Sequence, residues 1–152
     1  GSYRYVHFAT HGNLAVDPAE SYLTMADRPL TVYDIVGLTA LRGTTDLVVL
    51  SACVTALEKN RTTSDEPISL AGAFATAGAR TVVASLWSVD DQSTREVMVR
   101  FYDDFKRRSG TLDALDALRQ AQLSVLRLEV HGGRPYEAPK YWAAFEMFGD
   151  YR

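Results

Sequence analysis

The sequence predicts an α/β fold with a mostly parallel central sheet and helices on both faces of that sheet. The first observation is a pair of short, continuously apolar segments, Leu47–Cys53 and Thr81–Leu86, which are typical of strands buried on both faces. The second is that segments with helical periodicity lie between and after these strands. Alternating strands and helices indicate parallel strands joined by right-handed crossovers.

The size and composition of the chain favour one domain. With 152 residues, of which 47% are apolar and 11% aromatic, the chain can form a core on both sides of a sheet. We expect this domain to span residues 3–152, with Gly1 and Ser2 as a cloning remnant. Because a strand begins at residue 3, we also expect the natural chain to have been cut upstream, so that further strands precede it.

The charge pattern argues against several classes of partner. The net charge is −3 and the two signs are interspersed, which gives no basic surface for direct contact with nucleic acid or anionic lipid. No apolar run approaches the roughly 20 residues of a bilayer-spanning helix, and no leader is recognised. A single cysteine cannot form an internal disulfide, which favours a cytoplasmic location.

The remaining elements follow from local patterns. Thr31 is expected to cap a short helix that runs to Leu38, and Asp90 or Asp91 to cap a long helix that runs to Arg108. The other expected elements, in chain order, are a strand at Tyr3–Thr10, a hairpin around Tyr22–Met25, a mobile loop at Glu58–Glu66, a helix from Pro67 to Ala77, a helix capped at Gly110-Thr111, a loop at His131–Pro139 and a final strand at Tyr141–Phe148.

A histidine and the lone cysteine each lie at the end of a predicted strand. His11-Gly12 follows the strand Tyr3–Thr10, and Cys53 ends the strand Leu47–Cys53. Ligands of open α/β sheets bind outside the carboxyl ends of the strands. If the two strands are neighbours, the imidazole and the thiol face each other as a base and a nucleophile.

Four segments resemble the CHAT domain, a caspase-like cysteine peptidase module of clan CD that is related to separases and caspases and often follows tetratricopeptide repeats. They are HFATHG (His7–Gly12), LSAC (Leu50–Cys53), the run Leu70–Asp91 and the closing YWAAFEMFGD (Tyr141–Asp150). The resemblance covers nearly the whole chain in the order of the family. It implies a caspase-like three-layer sandwich.

The resemblance also implies the roles of the site residues. His11 would be the catalytic base, Cys53 the nucleophile, and the backbone N–H groups of Gly12 and Cys53 the oxyanion hole. One departure concerns the residues after the cysteine, where the family commonly has an acidic residue followed by Thr-Gly. This chain has Val54-Thr55-Ala56 instead, so the shape of the next turn is open.

Three residues after the strand Thr81–Leu86 are expected to bind substrate. By similarity to separases, Asp91 is the first choice for a carboxylate that pairs with a basic side chain before the cut, Asp90 is the second, and Trp87 forms an apolar wall. Both aspartates could instead serve only as helix caps, and Trp87 could belong to the core. The same preference makes Lys59 and Arg61 expected points of self-cleavage.

The function that follows is a cysteine endopeptidase acting on protein substrates after Arg or Lys. Family analogy implies regulation by a linked sensor or tetratricopeptide-repeat domain, in bacterial defence or cell-death signalling. The alternative is an inactive caspase-like scaffold that binds protein partners through its groove. We expect no metal, because the three histidines and one cysteine are not closely spaced. We also expect no cofactor, because the positions of Gly12 and Gly78 do not form a phosphate loop.

The other two histidines are expected to have lesser roles. His7 alternates into the strand Tyr3–Thr10 and should be structural, with support of His11 by a hydrogen bond as an additional role. His131 lies in a Gly-rich loop and should be exposed.

Overall fold

A computed structural model of the chain describes residues 3–15, 17–51, 69–108 and 114–149. These residues fall into two units. The first unit contains the described residues up to Ser88 together with residues 146–149, and the second unit contains those from Val89 to Phe145.

The described residues form seven strands and five α-helices, and strands and helices alternate only from β4 to α3. The strands are β1 (Tyr5–Phe8), β2 (Gly12–Asn13), β3 (Tyr22–Leu23), β4 (Leu30–Thr31), β5 (Leu47–Leu50), β6 (Thr81–Ser85) and β7 (Phe145–Gly149). The α-helices are α1 (Val32–Val36), α2 (Leu70–Ala77), α3 (Asp91–Arg108), α4 (Ala114–Leu126) and α5 (Pro139–Trp142), and 3₁₀ turns occur at Pro18–Glu20 and Thr39–Leu41.

The main sheet has the strand order β1-β5-β6-β7. β1 pairs with β5, and β5 with β6, in parallel. Gly149, at the end of β7, lies against Arg80, just before the start of β6. Only an antiparallel β7 can then run alongside β6. The α/β class is therefore confirmed, and the sheet is mixed, with three parallel strands and one antiparallel strand.

β5 is the most deeply buried strand of the first unit. All four of its residues are 0% exposed, so side chains on both faces of the sheet are removed from water. This confirms the prediction that its apolar run forms a buried strand. On one face, helices α1 and α2 supply Ile35 and Phe74 to a core that also contains Val48 and Val82. The ring of Phe74 lies 5.1 Å from that of Phe8 on β1.

The residues that follow β1 in the sequence form a second, smaller sheet. Its order is β2-β3-β4, all antiparallel, with Gly12 opposite Leu23 and Tyr22 opposite Thr31. The hairpin predicted around Tyr22–Met25 corresponds to β3. The sequence did not predict β2 or β4, because each has only two residues and too few side chains to show a period of two.

The helix caps agree with the sequence. The Thr31 hydroxyl accepts the backbone N–H of Asp34 and starts α1, which ends at Val36, slightly before the predicted Leu38. Asp90 caps α3 through its carboxylate, which accepts the backbone N–H of Ser93 at 2.9 Å. Helix α2 begins at Leu70 with Ser69 as its cap, later than the predicted start at Pro67. Pro67 and the predicted cap at Gly110-Thr111 lie outside the described residues.

The prediction of a strand over Tyr141–Phe148 is wrong in its first half. Residues of that half belong to α5, and β7 begins only at Phe145. Proline at the first position of α5 has a backbone angle already suited to a helix, and Ala143 donates its N–H to the Pro139 carbonyl at 2.8 Å. The aromatic residues of this segment favour a strand, but this turn overrides that preference.

Some predictions concern residues outside the described ranges, namely Cys53, the loop Glu58–Glu66 and the cleavage points Lys59 and Arg61. Among the helices that are described, none has the length and apolar character needed to cross a membrane.

The second unit is a packed group of helices. Phe101 and Phe105 lie on the predicted apolar stripe of α3, and their rings stack 5.7 Å apart. Ala117 and Ala121 of α4 are buried in the same unit. The side-chain amide of Gln122 donates to the Phe145 carbonyl at 2.9 Å, which ties α4 to the segment after α5.

Candidate functional site

The carboxyl ends of β1, β5 and β6 lie at one edge of the main sheet, because these three strands are parallel. His11 follows β1, Ser51 follows β5, and Trp87 follows β6. This is the edge at which open α/β sheets bind ligands. The first unit therefore gathers a histidine, a serine and a tryptophan at its expected site.

His11 is held through the backbone and through its neighbour. Its carbonyl accepts the backbone N–H of Thr24 at 2.8 Å, and the Thr10 hydroxyl donates to the Thr24 carbonyl at 2.5 Å. The residue itself is exposed. The short sheet thus fixes the main chain at His11 and leaves the residue open to solvent.

Gly12 has a backbone N–H that faces away from β3. In an antiparallel pair, hydrogen-bonded and non-hydrogen-bonded positions alternate. The bond from Thr24 to His11 marks that pair as hydrogen-bonded, so the next pair, Gly12 with Leu23, is the other kind. The Gly12 N–H therefore takes no part in this ladder.

His7 and Ser51 form a side-chain contact that the sequence did not predict. His7 Nε2 and Ser51 Oγ lie 2.8 Å apart, within hydrogen-bond distance. His7 is opposite Val49, and Ser51 is two residues after Val49, just past the end of β5, so both side chains lie on the same face. Support of His11 by His7 stays a prediction, and the contact described here joins His7 to Ser51.

The protonation state of His7 follows from its surroundings. Desolvation of the imidazole ring lowers the pKa of His7 below its ordinary value. The ring is therefore neutral at neutral pH, with one ring nitrogen as donor and the other as acceptor. Either tautomer can share a hydrogen bond with a serine hydroxyl, which both donates and accepts.

The described residues do not test the predicted pairing of His11 with Cys53, because Cys53 lies outside them. The last described residue before it is Ser51, directly after β5. Ser51 donates its backbone N–H to the Phe8 carbonyl at 3.0 Å, so the parallel pairing of β1 and β5 extends to this point.

The three expected substrate-binding residues differ in their surroundings. Trp87 is partly buried and belongs to the first unit. Asp90 and Asp91 belong to the second unit, where Asp90 caps α3 through Ser93 and Asp91 is the exposed first residue of that helix. The cap role is confirmed for Asp90. The substrate-binding role of all three stays a prediction.

Residues that could bind a metal are scattered in the described ranges. No three His, Cys, Asp or Glu side chains among residues 3–15, 17–51, 69–108 and 114–149 are close enough to hold an ion. His131 is exposed, as predicted, in a turn between Val130 and Gly133, where its φ is 51°.

Comparison with known proteins places this architecture in a family. The CHAT domain family matches residues 1–150 of the chain. The chain is also 30% identical over 139 residues to tetratricopeptide repeat protein 28 from Mus musculus. That match covers 88% of this chain but only 5% of the mouse protein. The match over residues 1–150 shows that the chain belongs to the CHAT domain family, which is caspase-like.

Proposed function

We propose that this chain is a cysteine endopeptidase in which Cys53 is the nucleophile and His11 the base. Membership of a caspase-like family supports this reaction class. The observation that carries the proposal to these two residues is the register of β1 and β5.

In that register, each β1 residue is opposite the β5 residue 42 positions later, from Tyr5 with Leu47 to Phe8 with Leu50. Cys53 is also 42 positions after His11. The two residues therefore follow their strands by the same number of residues, at the edge where parallel strands present ligands. This equality supports a meeting of thiol and imidazole that neither residue alone would indicate.

The oxyanion donors of the proposal are the backbone N–H groups of Gly12 and Cys53. The turned-away N–H of Gly12 supports the first of these, since it is not used in the pairing with β3. Fixed donors of this kind stabilise the charge that develops on the carbonyl oxygen in the transition state.

The proposed reaction proceeds by acyl transfer. The Cys53 sulfur attacks the carbonyl carbon and forms a C–S bond, and the negative charge on the oxygen is held by the two N–H donors. His11, which took the thiol proton of Cys53 before the attack, gives it to the leaving amine as the C–N bond breaks. Water, deprotonated by His11, attacks the thioester and releases the carboxylic acid and the free thiol.

We propose that the enzyme cuts after Arg or Lys, with Asp91 as the first candidate to receive the basic side chain. Asp90 remains the second candidate, but its carboxylate already accepts the Ser93 N–H. Asp91 is the exposed first residue of α3. Trp87, partly buried after β6, would provide an apolar wall for the aliphatic part of the substrate side chain.

The wider proposal concerns architecture, regulation and location. Burial of Leu47, Val49 and Val83 on the face opposite α1 and α2 supports a three-layer sandwich with helices on both faces. The similarity to a tetratricopeptide repeat protein supports control by a linked repeat or sensor domain, in defence or cell-death signalling. A cysteine nucleophile works only while reduced, which supports a compartment such as the cytoplasm.

Cleavage of matched peptides tests the proposal. Peptides that differ only in Arg, Lys or Asp before the reporter group are offered to the full-length protein, with its repeat or sensor domain attached, and to its Cys53→Ala variant. We expect hydrolysis after Arg and Lys that is absent in the variant. Equal hydrolysis of all three peptides would contradict the preference. Binding of protein partners without hydrolysis would instead support the scaffold alternative.

The proposed role of Asp91 gives a sharper prediction. Asp91→Ala should lower kcat/KM for the Arg peptide by about tenfold or more, the equivalent of ~1.4 kcal/mol of lost ion pairing. The unfolding midpoint should change little, because the residue is exposed. Asp116→Ala is a matched control, since Asp116 is an exposed acid in the first turn of α4. Equal effects of both substitutions on the Arg peptide would remove Asp91 from the site.

A further inference from the structure

We infer that the hydrogen bond between His7 and Ser51 positions the Cys53 nucleophile, so that His7 and Ser51 are positioning residues of the proposed peptidase. This inference deepens the proposed function and rests on it. It begins from a contact between described residues, the 2.8 Å separation of His7 Nε2 and Ser51 Oγ.

Ser51 is attached to β1 at two points. Its backbone N–H donates to the Phe8 carbonyl at 3.0 Å, and its hydroxyl shares a hydrogen bond with His7. The backbone bond continues the hydrogen-bond ladder of the sheet and fixes the position of Ser51 along the strand direction. The side-chain bond is not needed for the ladder, and it restricts the χ1 angle of Ser51 and the rotation of the residue about the strand axis. Together they fix the orientation of Ser51, the last described residue before the nucleophile.

Ser51 is close enough in sequence to transmit that orientation to the nucleophile. Cys53 is two residues further on, and two residues span at most about 7 Å. A small rotation at Ser51 therefore moves the thiol relative to the base. Misplacement of a reacting group by about 1 Å can lower a rate by roughly 100-fold.

A purely structural role explains the histidine less well. The neighbouring β5 residues Leu47 and Val49, on the same face, are apolar and completely buried. Desolvation lowers the pKa of His7, so the site disfavours a charged ring. His7 is nevertheless an exposed residue of the edge strand β1, so the core does not require a histidine there, and an apolar side chain at position 7 could not bond Ser51.

The test uses the full-length protein and follows Cys53 by peptide mass spectrometry. His7→Leu and Ser51→Ala each remove the bond, the double variant removes both partners, and His7→Gln supplies an amide that can still reach the Ser51 hydroxyl. Two quantities are measured, namely kcat and KM on the Arg peptide and the rate at which iodoacetamide alkylates Cys53. Mass spectrometry of the peptide that contains Cys53 assigns the alkylation to this residue, which is the one cysteine of the 152-residue sequence.

We expect His7→Leu and Ser51→Ala each to lower kcat by roughly tenfold while KM stays within about twofold, and to change the alkylation rate. The double variant should be no worse than either single variant, since the same bond is lost. His7→Gln should restore most of kcat. His131→Asn is the matched control, because His131 is an exposed histidine in a turn, and it should leave both quantities unchanged.

Far-UV circular dichroism and the unfolding midpoint identify a variant that does not fold, and the milder Ser51→Ala then decides the outcome. Normal kcat and normal alkylation in a folded Ser51→Ala variant of an active enzyme would overturn the positioning role alone. Additive losses in the double variant would do the same. If the wild-type protein cleaves no peptide and His11→Ala leaves alkylation unchanged, the proposed function and this inference both fail.

Discussion

At the scale of single residues, His11 is placed by hydrogen bonds that its neighbours make. The Thr10 hydroxyl bonds the Thr24 carbonyl, and the Thr24 N–H bonds the His11 carbonyl. These bonds restrain the main chain at His11 and leave the residue exposed to solvent. A substitution at Thr10 should therefore affect the chemistry without touching a reacting group.

Thr10→Val keeps the shape of the side chain and removes the hydroxyl. We expect roughly a fivefold fall in kcat on the Arg peptide, in proportion to one neutral hydrogen bond. Thr44→Val is the matched control, because the Thr44 hydroxyl also donates to a carbonyl, that of Ala40, at 2.6 Å, but before β5. A loss of the same size in both variants would show a general effect on stability instead.

Asp34 is the centre of a polar network at the start of α1. Its carboxylate accepts hydrogen bonds from the Arg28 guanidinium and from both the backbone N–H and the hydroxyl of Thr31. These bonds, above all that of Arg28, hold the pKa of Asp34 well below its ordinary value. A carboxyl whose pKa is lowered in the folded state stabilises that state above its ordinary pKa and loses this contribution on acidification.

The difference in the free energy of unfolding between wild type and Asp34→Asn should therefore be largest near neutral pH. It should shrink as the pH falls below the ordinary carboxyl pKa of about 4. Urea unfolding at several pH values measures it, and added salt should reduce it because the network lies at the surface. Asp27→Asn, a change to an exposed acid nearby, serves as the control. A difference that did not vary with pH would contradict this account.

At the scale of elements, β7 can lie beside β6 only because its last residue is glycine. Gly149 has a φ of 104°, and a Cβ at this position would collide with the Arg80 carbonyl. Gly43 has a similarly unusual φ of 70°, but nothing lies within 4 Å of a Cβ added there. Substitution of Gly43 therefore tests backbone strain alone, whereas substitution of Gly149 tests backbone strain together with a steric clash.

We expect Gly43→Ala to lower the free energy of unfolding by about 1 kcal/mol, from backbone strain alone. Gly149→Ala should lower it by roughly 3 kcal/mol or more, because the Arg80 backbone must also move. Chemical denaturation of both variants measures the two losses. Equal losses would mean that β7 does not approach the start of β6 as closely as described.

The predictability of the elements followed the length of their patterns. The continuous apolar run of β5 and the helical stripe of α3 were predicted because each holds several side chains in one repeat. The strands β2 and β4 were not, since two residues show no repeat. The segment of α5 was assigned to a strand from its aromatic residues, and the local effect of Pro139 decided otherwise.

At the scale of the whole molecule, the sequence predicted which strands end at the same edge of the sheet. It did not predict the hydrogen bond between His7 and Ser51. Motifs alone indicated His11 and Gly12, and the parallel sheet brings their strand next to β5. The bond between His7 and Ser51 depends on the register of β1 with β5. A single sequence contains no direct record of that register, so this part of the site required the structure.

The central claim is that the His11 imidazole activates the Cys53 thiol, and the pH dependence of alkylation tests it most directly. The rate at which iodoacetamide alkylates Cys53, followed on the peptide that contains it by mass spectrometry, is measured against pH in the full-length protein and in its His11→Ala variant. We predict rapid reaction below the ordinary thiol pKa of about 8.5 in the wild type, and a shift of that profile to higher pH in the variant. Superimposable profiles would contradict the claim.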